Sequence, residues 1–165
     1  MHRTIAKALW FSTLLVGLGA CGDGDDGGSS ASGPVTLDAS KVFEGNLTIS
    51  GTITLPAGAG AGKSIQLTAS GGGADITQMG SYVGLAGTTP GETVPYTITG
   101  LVAGEYTVRA RVDQNDDGKL DSPGDLDGHY GGTVDAPIMD VTAAKDVTVG
   151  SSGATGVDFG VGPLK

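Results

Sequence analysis

The sequence predicts an all-β fold, an antiparallel sandwich of about seven strands filling residues 35–165. Three observations predict it. Apolar residues recur at every second position in several short runs, the period of a strand with one face on a core and the other in water. Gly, Pro, Asn and Asp cluster between those runs, where the chain must turn. Downstream of the N-terminal segment, no stretch of usable length carries the 3.6-residue apolar period of an amphipathic helix. Short strands in series with turn signals between them bury their apolar faces most simply by packing as two sheets.

The alternation starts soon after Val35. Leu47, Ile49, Ile53 and Leu55 alternate with Thr48, Ser50, Thr52 and Thr54, and Gly51 stands in the apolar series. Ile65, Leu67 and Ala69 repeat the pattern, and Tyr82 to Leu85 adds a shorter strand. Val94, Tyr96 and Ile98 follow, then Tyr106, Val108, Ala110 and Val112 against Thr107, Arg109 and Arg111. Val147 and Val149, then Val157, Phe159 and Val161, end the series. Between Tyr96 and Val108 the chain reads as a strand, a tight turn bounded by Gly100 and Gly104, and a second strand, hence a hairpin. This stretch resembles the GLPxGxYxV hairpin of prealbumin-like domains, which include carboxypeptidase regulatory-like and Cna-B-type modules. Val102 stands where those domains often carry proline. The resemblance covers about residues 47–112 and implies a prealbumin-like or Ig-like sandwich; it bears on fold more than on function.

The N-terminus has a different character. Arg3 and Lys7 precede an apolar or small run from Ala8 to Ala20, long enough for the core of a secretory signal and too short to span a bilayer. The run ends Leu18-Gly19-Ala20-Cys21, which resembles the lipobox of bacterial lipoproteins. The resemblance implies a signal peptide over residues 1–20, cleavage before Cys21, and acyl chains on Cys21 that anchor the protein to a membrane. Gly22 after the cysteine is, by analogy, consistent with sorting to the outer membrane, on its periplasmic or cell-surface face. The alternative is an ordinary cleaved signal in which Cys21 is incidental, although it is the chain's one cysteine. Residues 21–34 are almost entirely Gly, Ser and Asp, which cannot bury enough surface to offset the entropy of ordering. They read as a flexible acidic tether reaching roughly 20 Å.

Composition narrows the function classes. Seven basic residues face eighteen acidic ones after Cys21, which argues against nucleic acid or an anionic lipid surface as a general partner. With Cys21 acylated, no disulfide is available, so an exported domain relies on its core or on a metal. No cysteine nucleophile or GxSxG elbow is present in the domain, and its one histidine, His129, reads as a turn residue with a solvated ring. The expectation is therefore a protein that is not an enzyme.

The motif with the most chemical content follows the strand Tyr106–Val112. Six acids fall between residues 113 and 127, countered locally by Lys119 alone, and a cation would relieve their repulsion. The spacing matches a calcium loop: Asp113, Asn115 and Asp117 at positions 1, 3 and 5, Gly118 at the sharp turn, the Lys119 carbonyl at 7 and Asp121 at 9. Position 12, which should close the shell, is Gly124; Asp125 or Asp127 is left to close it. Pro123 and Gly124 argue against a following helix, so such a Ca2+ site would be structural, grafted on a β-fold. The competing account is a solvated acidic turn, because Asp, Asn and Gly favour turns for backbone reasons of their own. The functional expectation is an envelope lipoprotein serving as an interaction or scaffold module, with a protein or glycan partner. The alternative is a small-ligand or carbohydrate-binding module using Tyr82 and Tyr130 as contacts.

Overall fold

The computed structural model describes residues 34–59, 61–71, 80–89 and 91–165, with the side chains of 80–88 excepted. The signal, Cys21 and all of the tether before Pro34 lie outside the described residues.

The regular structure of the described residues is almost entirely β, as the alternation predicts, and it forms two sheets. Its strands are β1 (Val35–Asp38), β2 (Leu47–Thr54), β3 (Ser64–Gly71), β4 (Gly80–Thr88), β5 (Thr93–Leu101), β6 (Gly104–Val112), β7 (Leu126–His129), β8 (Val147–Val149), β9 (Phe159–Gly160) and β10 (Gly162–Pro163). Helical structure among the described residues is limited to one turn, α1 (Ser40–Phe43), and a 3-10 turn at Val141–Ala143. One sheet has the order β1-β5-β2-β9. The other has the order β10-β7-β6-β3-β4, with β8 also paired to β6. Pairing is mostly antiparallel, but β1 runs parallel to β5 and β9 parallel to β2.

Each apolar series turns inward. Ile49, Ile53, Val94, Tyr96 and Ile98 from one sheet meet Ile65, Leu67, Val108, Ala110 and Val112 from the other, and all are buried. The aromatic residues fasten this core: Phe43 meets Tyr106 edge-on at 5.4 Å, and Tyr96 meets Phe159 edge-on at 6.0 Å. The buried Tyr96 hydroxyl donates to the Val157 carbonyl at 2.8 Å, which satisfies its polar end. Gly51 has a packing reason for its place in an apolar series. A Cβ there would stand 2.2 Å from the Val157 carbonyl oxygen, so the returning chain passes where a side chain would be.

The hairpin expectation for residues 96–108 is corrected. β5 and β6 belong to different sheets, and Leu101–Gly104 carries the chain from one to the other. Tyr96 and Tyr106 are then both buried but come from different sheets, instead of lying side by side in one. Gly100, at φ 80°, lies so close to α1 that a Cβ would sit 2.2 Å from the Ser40 nitrogen. The Tyr106 hydroxyl pins the crossing, donating to the Val102 carbonyl at 3.0 Å and accepting its N–H at 3.2 Å.

Candidate functional site

The acidic loop leaves the end of β6 and returns as β7, so the ladder between those strands sets its mouth. Arg109 pairs with His129, Arg111 with Asp127, and Val112 with Leu126. β7 is buried on both faces, although its sequence is Leu-Asp-Gly-His. The buried polar residues Asp113, Asp125, Asp127 and His129 (6, 0, 2 and 3% exposed) all belong to this ladder and the first step beyond it. Burial of this kind requires partners, and the structure supplies them.

Asp125 stands where the loop closes. Its carboxylate accepts the Gln114 N–H at 3.2 Å and the Ser122 N–H at 2.9 Å, linking the outgoing and returning limbs. Asp113 does the same for the first half, accepting the Asp117 N–H at 3.2 Å and the Gly118 N–H at 3.0 Å. Asn115 Oδ1 accepts the Asp117 N–H at 2.9 Å, and Asp117 Oδ1 accepts the Lys119 N–H at 2.8 Å. Hydrogen bonds from the Ser122 side chain, and then from the Lys119 backbone, hold the Asp117 carboxyl below its ordinary range. Gly118 takes a φ of 78° at the sharp turn, a left-handed conformation that suits glycine.

Of the two residues left to close a shell, Asp127 is committed elsewhere. It binds the Arg109 guanidinium through two parallel contacts, one of them from Nε at 2.8 Å, and Arg111 Nε stands 3.8 Å away. Asp125 is therefore the carboxylate that belongs to the loop. The structure brings Asp113, Asn115, Asp117 and Asp125 into one hydrogen-bonded loop. For Lys119 and Asp121 it shows exposed positions on the loop's outer part. Among the described residues, no group of three or more His, Cys, Asp or Glu side chains converges closely enough to hold a metal ion. The carboxylates instead point at backbone N–H groups. Carboxylate oxygens retain further lone pairs beyond these bonds.

Three features of this region were not visible in the sequence. His129 is not a solvated turn residue: it lies in β7, and its Nδ1 is 2.9 Å from the Ile138 carbonyl. Burial reverses that reading because the segment after β7 folds back over the histidine. Lys119 is not the acidic loop's one counter-charge, because Lys63 of the β2–β3 connection pairs with Asp116. The Arg109–Asp127 pair is the third, because Asp127 lies on a strand whose own sequence does not alternate. Of the two tyrosines considered as ligand contacts, Tyr130 packs partly against the core, and Tyr82 lies in β4, whose side chains are not described. Comparison with family models, with curated proteins and with solved structures finds no match to this chain.

Proposed function

We propose that this chain is a lipid-anchored envelope lipoprotein whose prealbumin-like sandwich acts as a non-enzymatic interaction or scaffold module, with residues 113–125 as a structural calcium loop. The anchoring rests on Leu18-Gly19-Ala20-Cys21 alone. The observation that carries the calcium reading is the placement of Asp113 and Asp125, buried carboxylates at the two ends of a loop whose remaining oxygen donors, Asn115 and Asp117, are already linked to it. Extracellular modules of this type bind calcium at about 10⁻⁴–10⁻³ M. At ten times the dissociation constant, binding adds about 1.4 kcal/mol to stability. For a domain without a disulfide, that is a useful share of the total.

Thermal unfolding of the purified chain in EDTA and then in millimolar calcium tests the loop. The expected result is a calcium-dependent rise of about 3–8 °C that Asp117→Ala abolishes. A well-folded chain with the same midpoint in both conditions would leave a self-capped acidic turn. Metabolic labelling with a radioactive fatty acid tests the anchor, and Cys21→Ser should remove the label.

A small-ligand reading draws on a separate observation. A half-open cleft of about 500 Å3 lies between residues 134–139 and the last three residues, lined by Val134, Pro137, Met139 and Leu164. That volume lies in the range of ligand pockets. An environment-sensitive apolar dye whose binding is lost in Met139→Asp would support this reading, and a dye that ignores the substitution would count against it.

A further inference from the structure

The outer part of the acidic loop, residues 115–119, is exposed, yet a cation from a distant part of the chain reaches it. The Lys63 ammonium pairs with the Asp116 carboxylate across 53 positions of sequence. Among the described residues it is the ion pair that joins this loop to another element.

Two observations set this contact apart from a chance meeting of surface charges. The Lys63 backbone is held on both sides: its N–H donates to Thr89 Oγ1 at 3.1 Å, and its carbonyl accepts the Thr89 N–H at 2.8 Å. The adjacent Gly62 N–H donates to the Thr89 carbonyl at 2.7 Å. The lysine side chain is only 20% exposed, so it leaves a fixed backbone along a defined path. Asp116, for its part, takes a φ of 60°, a left-handed conformation that few residue types tolerate and aspartate tolerates better than most.

We infer that Lys63 and Asp116 form an ionic clasp that holds the acidic loop in its folded form, the ammonium serving as the loop's resident counter-charge. The clasp does not depend on the calcium reading. Asp116 stands at position 4 of the loop, outside the oxygen positions of a calcium shell, so clasp and cation occupy different places and oppose each other only through charge. Salt weakens the clasp by screening, and the loop's order therefore varies with ionic strength.

Residue-resolved amide hydrogen exchange on the whole chain tests this. Lys63→Gln and Asp116→Asn should each lower protection at the Asp117, Gly118 and Lys119 amides by roughly 2–5-fold, and the double variant should fall no further. Amides of β3 should be unchanged, which reports an intact fold. Raising the salt should lower protection of the native chain and leave Lys63→Gln unaffected. Unprotected amides in the native chain, unchanged protection in the variants, or additive losses would each overturn the clasp. A calcium titration of the same proteins separates the two ideas. If the loop takes the ion, removing the Lys63 charge should raise affinity by roughly 3–10-fold. A chain that ignores calcium yet shows the exchange pattern would sink the metal reading and leave the clasp standing.

Discussion

Removing the fully buried Asp125 carboxylate would leave the half-buried Gln114 and Ser122 N–H groups without these acceptors. Each orphaned donor costs about 1–3 kcal/mol, so Asp125→Ala should lower stability by about 2–4 kcal/mol in urea unfolding. Asp125→Asn, which keeps one acceptor oxygen, should lose about half as much. The exposed carboxylates act differently. Asp38, Asp117 and Asp140 are held below 3.8 by hydrogen bonds from Ser40, Ser122 and Thr142 respectively. A depressed folded-state value means that the stabilisation is present above the unfolded value and is lost as pH falls through the lower one. Melting temperature should therefore hold steady down to about pH 4 as far as these groups are concerned, then fall, with a smaller acid loss in Asp117→Asn. At this scale the turn formed by Asp113, Asn115, Asp117 and Gly118 was legible because its hydrogen bonds are local. Lys63 was not, because nothing near residue 63 signals a partner at 116, and the burial of His129 depends on the later return of Ile138.

Strands were legible wherever one face is wet. β2, β3, β5 and β6 each alternate apolar and polar residues, and each lies where the alternation puts it. β7 escaped because both of its faces are covered and its burial is met by an ion pair and hydrogen bonds instead of apolar side chains. The link at Leu101–Gly104 escaped for another reason: a short glycine-bounded turn serves equally well within a sheet and between sheets. Two substitutions test these element-level accounts. Gly51→Ala should drive a methyl into the Val157 carbonyl and destabilise the fold by about 1–3 kcal/mol, read from the shift in its unfolding midpoint. Tyr106→Phe keeps the ring in the core and removes both hydrogen bonds to Val102, at a cost of about 1 kcal/mol by the same measurement.

Across the whole molecule, the two sheets are joined by the chain itself along one side. Residues 159–163 pair first with β2 and then with β7, with Val161 fully buried between the two pairings, so the last stretch changes sheets without leaving the core. The acidic loop, the β2–β3 connection and the β4–β5 connection gather at one end, tied by Asp113 N–H to Ser64 and by the Lys63–Thr89 bonds. β1 enters near that same end, because Val35 aligns with Tyr96, only three residues into β5. Its direction has a mechanical consequence. Any pull on residues before Pro34 passes first into Val35–Asp38, and β1 lies parallel to β5 with all four residues in register. A load along the strand axis therefore strains the four pairings together in shear, whereas a sideways load would peel them one at a time. A pull applied at Pro34 along the β1 axis thus meets more resistance than the same pull applied across it.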